Sequence, residues 1–157
     1  MQGPDKTIRW LPFEFSQNVA NTNFIIFGDG YIRFTQGGNY VLETEKTVTA
    51  LAAGVVTIAG HGYVTGELGR FTDLSGPNTL RGRLFELDVL TSDTFRLKDQ
   101  FGLVVTDPSA FISGKFARVY TLVSPYAHAD LPELNHEQIR DTLRLTHYKY
   151  KTRDVVS

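Results

Sequence analysis

The feature that most limits what this chain can become is its punctuation. Between residues 55 and 98, short apolar runs alternate with clusters of Gly, Asp, Asn and Pro, one cluster about every eight to twelve residues. That rhythm predicts consecutive short β-strands. Val56, Ile58, Leu68, Phe71, Leu80, Leu84, Leu87, Val89, Phe95 and Leu97 are the expected core, and the residues between them are mostly small, charged or hydroxylated. No catalytic constellation is present in this stretch.

The 157 residues suit one ordinary domain or two small ones, and 41% hydrophobic with 21% charged residues is enough to bury a core. Sixteen basic against seventeen acidic residues leave a formal charge of −1, the wrong balance for a tight nucleic-acid binder, though passive contact with DNA stays open. The absence of cysteine removes disulfides, thiol chemistry and cysteine zinc sites together. No apolar run approaches the length of a membrane helix and the start MQGPDKTIRW is polar, so neither membrane insertion nor an ordinary export signal is expected.

Before the central stretch, residues 1–8 read as an extended arm. Trp10, Leu11, Phe13 and Phe15 follow, with Pro12 marking an irregular or edge position because it lacks an N–H. Trp10 is expected in the core and is also a candidate interface anchor. Residues 23–27 and 31–34 flank Gly28-Asp29-Gly30 as a hairpin with a three-residue loop, and Gly37-Gly38 turns the chain into a third strand. Beyond the centre, Asp107-Pro108-Ser109 and Gly114 frame a loop before a strand at 115–123. A short turn of helix is expected over 132–138, where Glu133 and Glu137 alternate with Leu134. The tail HYKYKTRD interleaves aromatic and basic residues and reads as a solvated strand rather than a nucleic-acid patch.

Several linked motifs carry a resemblance. His61-Gly62-Tyr63, Gly66-Glu67, Leu74-Ser75-Gly76, Asn78 to Arg83 and Asp93-Thr94-Phe95-Arg96-Leu97 resemble a small β-domain common in phage virion proteins, itself similar to the first catalytic-cysteine half-domain of ubiquitin-activating enzymes. Glu67 stands where that pattern usually has Asp, and Arg81 where Asn is usual, both at expected surface turns. The Phe27-Gly28-Asp29-Gly30-Tyr31-Ile32-Arg33-Phe34 hairpin, the Gly37-Gly38-Asn39-Tyr40-Val41-Leu42-Glu43 run and Tyr126-Ala127-His128-Ala129-Asp130-Leu131-Pro132-Glu133-Leu134 resemble the N-terminal region of short-tailed phage tail nozzle or head–tail connector proteins. Members of that family are usually several times longer. Their strand ending in His-Pro is matched by residues 141–147, with Tyr148 in place of the proline.

Features that suggest chemistry have simpler readings. His61, His128, His136 and His147 show no metal-ligand spacing. Glu43, Glu45, Glu67, Asp73, Glu86 and Asp88 could supply the two carboxylates of a glycosidase, yet acids at turns and alternate strand positions are ordinarily a solvated face. Gly28, Gly30, Gly37, Gly38, Gly60, Gly62 and Gly66 precede no helix, so Gly60-His61-Gly62 is no phosphate cradle.

The expected fold is all-β, an antiparallel meander and hairpin platform (residues 1–46 and 117–157) with an inserted small barrel-like or sandwich module at 47–116. The module would sit in a hairpin with arms 40–43 and 117–122. Gly28, Asp29, Gly30, Gly60, His61, Gly62, Gly66 and Gly82 are the expected turn and structural residues, and Trp10, Tyr31, Tyr126 and Tyr148 the candidate interface. The resemblance implies a structural, non-enzymatic protein of the virion tail or head–tail junction, made in the host cytoplasm and without cofactor or metal. It would form a homo-oligomeric ring touching portal, adaptor or other tail proteins, with DNA passing through at ejection. The alternative is a glycan- or receptor-binding module, with Tyr31, Tyr63, Tyr126 and Tyr148 exposed for stacking on sugars.

Overall fold

A computed structural model describes residues 8–13, 23–139 and 142–156. The strands, in chain order, are β1 (Arg9–Phe13), β2 (Asn23–Gly28), β3 (Tyr31–Gln36), β4 (Asn39–Tyr40), β5 (Lys46–Val48), β6 (Ala50–Ala52), β7 (Val55–Thr57) and β8 (Leu68–Ser75). They continue with β9 (Phe85–Val89), β10 (Thr94–Lys98), β11 (Ser113–Arg118), β12 (Thr121–Val123), β13 (Asn135–Ile139), β14 (Thr142–His147) and β15 (Tyr150–Val156). Two short 3₁₀ turns, Asn78–Leu80 and His128–Glu133, are the helical elements among the described residues. The fold is all-β and its strand pairs are antiparallel.

The chain divides into two compact units, Leu42–Val119 and a second that takes the residues on either side of it. In the first, seven strands run in the order β5-β11-β8-β9-β10-β7-β6. The two outermost strands, β5 and β6, are separated in the chain by Thr49 alone. A sheet whose edges are joined by one residue has to curl until they meet, and the result is a nearly closed barrel. Its interior holds Val56, Ile58, Phe71, Leu80, Leu87, Phe95 and Leu97 as expected, joined by Tyr63, Leu74, Phe85 and Phe116, while Leu68 is buried outside this cluster, on the face of β8 opposite Gly69 and Phe71. Leu84 is instead exposed, because Phe85 begins β9 and takes the inward position beside it.

β8 is long enough to pair with both β9 and β11, and it bends where Thr72 is an extra residue opposite the Lys115–Phe116 step. Close approach at this bend depends on Gly69, where an added Cβ would lie 2.4 Å from the Phe116 ring and 2.9 Å from the Ala117 carbonyl oxygen.

In the second unit the sheet β1-β2-β3-β12, with β4 on β3, and the sheet β13-β14-β15 enclose a common core. Leu11, Ile25, Phe27 and Ile32 come from the first sheet, Leu143 and Leu145 from the second, and Tyr126, Leu131 and Leu134 from the connection between them. The Arg9 guanidinium donates to the carbonyl oxygens of Leu131 and Leu134, fixing that connection.

Local outcomes differ from the sequence reading at several points. The hairpin loop has two residues, Asp29 and Gly30, not three. Gly28 still pairs with Tyr31 as the end of β2, and only Gly30 takes a positive φ, of 74°. At Gly37 and Gly38 both φ values are positive, 57° and 82°, as a type I′ turn requires. The strand expected at 115–123 is broken at Val119 and Tyr120, so β11 and β12 belong to different sheets. The expected arms 40–43 and 117–122 share one bridge, Leu42 with Val119, rather than a ribbon. The helical turn falls at His128–Glu133 and gives way to β13, because Pro132 and the extended backbone of Leu134 end it where helix was expected to start. Phe15 and the arm before Ile8 lie outside the described residues. No described helix is long and apolar enough to cross a membrane.

Replacing Gly69 by Ala should lower stability by roughly 1–3 kcal/mol, because the methyl must push Phe116 or a backbone carbonyl from its place. Thermal unfolding of Gly69→Ala against Gly60→Ala, whose added Cβ meets nothing within 4 Å, separates this contact from glycine strain.

Candidate functional site

Part of the motif residues of the central stretch, those at 60–67 and 93, meet around one loop of the barrel. Gly60 N–H donates to Asp93 Oδ1 at 2.7 Å, His61 N–H to the Ser92 carbonyl at 3.2 Å and Ile58 N–H to the Asp93 carbonyl at 2.8 Å. These bonds tie the 58–67 loop to the turn before β10. The buried His61 ring accepts from Tyr63 N–H at Nδ1 (2.9 Å), which leaves Nε2 to carry the proton and donate to the Thr91 carbonyl at 3.1 Å. The ring lies 5.0 Å from Tyr63, stacked, and 5.2 Å from Phe95, edge-on. With both nitrogens held by main chain, His61 acts as a hub for the loop and offers no free ligand atom.

Next to it stands an ion cluster that short-range sequence patterns do not reveal. Arg118, at the end of β11, donates from Nη2 to both oxygens of Glu43 at 2.8 Å, and from Nη1 to both oxygens of Glu67 at 2.9 and 3.0 Å. Glu67 also accepts from Val64 N–H at 2.8 Å, closing its own turn. The guanidinium and the Lys46 ammonium approach the Tyr63 ring at 5.5 and 5.4 Å from its centroid, and Lys46 donates to the His61 carbonyl at 2.7 Å. Burial pulls the Arg118 pKa down, and the two carboxylates more than reverse it. Burial also pushes the Tyr63 hydroxyl up to about 12. Glu67 is thus no idle surface turn, and Arg81 likewise donates to the Leu74 carbonyl at 2.6 Å.

These pairings account for four of the six acids named above as candidate carboxylates. Glu43 and Glu67 face each other across a guanidinium, Glu45 is bonded to Lys115 at 2.6 Å and Asp88 lies 3.1 Å from Lys98. A glycosidase needs two carboxylates with open space for sugar and water between them. Here a cation occupies that space. No group of three or more His, Asp or Glu among the described residues could hold a metal ion.

The second unit has its own buried polar centre. Asp130 accepts from Lys149 Nζ at 2.5 Å and from Tyr150 Oη at 2.6 Å. The Lys149 hydrogen bond, then the Tyr150 bond, lowers the Asp130 pKa, and Asp130 in turn raises that of Lys149 and of Tyr150. Tyr148 and Lys149 form a two-residue turn between β14 and β15, closed by Lys149 N–H donating to His147 Nδ1 at 3.1 Å. The Nε2 atom of His147 has no hydrogen-bond partner among the described residues and lies 3.7 Å from Glu133 Oε2. Asp29 accepts from His128 N–H at 2.9 Å, holding the 3₁₀ turn against the hairpin.

The four candidate interface residues fare differently. Trp10 is 55% exposed on edge strand β1, edge-on to Phe24, because Leu11 takes the inward position; the core placement is corrected. Tyr31 is half-buried beneath the Arg33 guanidinium, 4.3 Å from the ring centroid. Tyr148 is 75% exposed at its turn. Tyr126 is only 1% exposed, packed edge-on to Phe27 and Tyr150, so it is a core residue and offers no face to a sugar; Tyr63 is buried too. The glycines Gly60, Gly62, Gly66 and Gly82 take positive φ values in turns.

Sequence patterns single out neither Arg118 nor the Lys149–Asp130 pair; Lys149 is legible only as part of the basic and aromatic tail. Asp130 lay in plain view inside the quoted Ala-Asp-Leu-Pro signature, where an acid flanked by apolar residues is a signal for a buried partner. The partners of Arg118 are 75 and 51 residues away, and no local pattern records that.

No family model matches the chain, and no curated protein is significantly similar to it.

Two measurements follow. A fragment cut at 42–119 should unfold cooperatively, and one cut at 47–116 should be less stable by roughly 1–3 kcal/mol, since it leaves Glu67 without Arg118 and His61 without Lys46. Equal melting of the two fragments would show the ion cluster to be dispensable. The folded-state pKa of Asp130 lies below its ordinary 3.8, so its contribution is complete above that value and is lost as pH falls through the lower folded value. Acid unfolding of Asp130→Asn should therefore start from lower stability and show a shallower loss below about pH 4 than the parent.

Proposed function

We propose that this chain is a structural subunit of a phage tail or head–tail junction, a nozzle or connector component that assembles with copies of itself and with neighbouring virion proteins around the path of the DNA. The linked motifs from the Phe27–Phe34 hairpin to the Ala129-Asp130-Leu131-Pro132 signature support the family, and the fold class is the one it implies. The observation that carries the assembly reading is the placement of large apolar side chains. Phe101 is 76% exposed and Ile112 72%, with Leu103 exposed beside them in the chain. Singly such residues mean little, but here they are concentrated in one connection of the barrel.

That connection is held in shape. Asp99 accepts from Phe101 and Leu103 N–H at 2.8 and 3.0 Å, while Asp99 N–H donates to the Leu103 carbonyl at 2.9 Å. An apolar tip on a preorganised turn costs little ordering entropy when it docks. Several charged groups of each unit, by contrast, are held in internal pairs, Arg118 with Glu43 and Glu67 in the first and Asp130 with Lys149 in the second. In this reading the subunit's work is mechanical.

The glycan-binding alternative loses two of its four stacking residues, since Tyr63 and Tyr126 are buried. A double variant Phe101→Ser with Leu103→Ser should keep the parent melting temperature within a few degrees and yet fail to enter particles when supplied in place of the wild type. Normal incorporation would count against the role of this tip, and glycan-array binding by a protein absent from particles would count against the structural assignment itself.

A further inference from the structure

The second unit is open along one side. β12 is paired with β3 and β15 with β14, and among the described residues neither strand has a partner on its other side. A cleft of about 330 Å³ lies between them, lined by Ile32, Leu122, Val123, Tyr126, Arg153 and Val155 among others. Ile32, Leu122, Tyr126 and Val155 also belong to the core shared by the two sheets, so the cleft reaches that core.

Three groups in it lack partners among the described residues. The Tyr126 hydroxyl is buried without a hydrogen-bond partner among the described residues. Such a group is costly to bury and is normally paired. Arg153 makes no ion pair among the described residues, whereas Asp154 beside it is taken by Arg144 at 3.0 Å. Arg153 and Tyr126 both line the cleft, and the Arg153 charge opposes the upward push of burial on the Tyr126 hydroxyl. The third group is main chain. Ser124 N–H donates to the Gly30 carbonyl at 2.8 Å, so antiparallel alternation gives the next ladder bonds to Leu122 and turns Val123 N–H and C=O outward. The Val123 side chain is 95% exposed beside them.

We propose that this cleft accepts an extended segment of another polypeptide chain carrying an apolar side chain and, two residues along, a carboxylate. The segment adds to β12 as a strand, bonded to Val123. Its apolar side chain enters the cleft against Ile32, Leu122 and Val155. Side chains two apart share a face, so the carboxylate follows on the same side, accepts from the Tyr126 hydroxyl and pairs with Arg153. The charge at the mouth selects the acid: a basic residue there would meet Arg153, and an apolar one would leave the hydroxyl unpaired. The inference does not depend on the virion reading, since any chain with such a segment satisfies it.

The test uses the full chain, isotope-labelled, with the peptides acetyl-TVTET-amide and acetyl-TVTQT-amide as probes. Titration of the first to millimolar concentration should move the amide signals of Val123, Tyr126 and Arg153. The second should bind about tenfold more weakly, as should the first to Arg153→Gln. Tyr126→Phe should weaken binding while leaving the melting temperature unchanged or higher, which a purely structural role for the hydroxyl would not do. Val123→Pro removes the outward N–H without touching a β3 ladder bond and should also weaken binding. Absence of shifts at millimolar peptide, shifts confined to other residues, equal binding of the two peptides, or hexanoate binding as tightly as the peptide would each overturn the proposal.

Discussion

The first unit depends on one constraint of connectivity. Its edge strands β5 and β6 follow each other with a single residue between them, so the seven-stranded sheet cannot lie open. Curling demands a tightly filled centre, and the aromatic set supplies it: Phe116 lies 5.1 Å from Phe71, 5.2 Å from Phe95 and 6.2 Å from Tyr63 between ring centroids. Edge-on and tilted contacts of this kind fill a curved interior better than parallel stacks. Gly69 then follows as a necessity, since the wall opposite Phe116 has no room for a side chain.

Charge in this protein serves position. An exposed ion pair is worth little, but a guanidinium that binds two carboxylates bidentately, half-buried and over an aromatic ring, fixes three chain segments at once. Arg118 does this for the segment before β5, the loop ending at Glu67 and β11. Asp130 does the equivalent for the 3₁₀ turn and the β14–β15 turn. In both arrangements acids that stand out in the sequence serve to hold loops in place.

Period-two alternation and turn chemistry made much of the fold legible. The Phe24 to Phe34 hairpin, the Gly37-Gly38 turn and most of the central core could be read because each depends on neighbours in sequence. Trp10 misled because aromatic character suggests burial, whereas alternation on an edge strand gave the inward place to Leu11. Tyr126 misled in the opposite direction: its position after Ser124-Pro125 looked like a surface turn, and only the packing of one sheet on another buries it. The polar sites were least legible. Arg118 and Glu43 are brought together by strands whose pairing is set by the whole barrel, and a local window contains nothing of that.

The two units answer the problem of exposed strand edges in opposite ways. The barrel brings its two edges together, which removes most of the unpaired main chain that another protein could use. What it presents outward is side chains on shaped connections, Phe101 and Ile112 among them. The second unit keeps edges. β1 carries Pro12, which cannot donate and so blunts that edge, but β12 has no such block and carries the fully apolar Val123 in the open. An edge without a proline or charge, next to an unfilled entrance to the core and an unpaired cation, is what a stand-alone protein would be expected to remove, because it invites pairing with any passing strand. A covering strand of the chemistry proposed above would remove that liability.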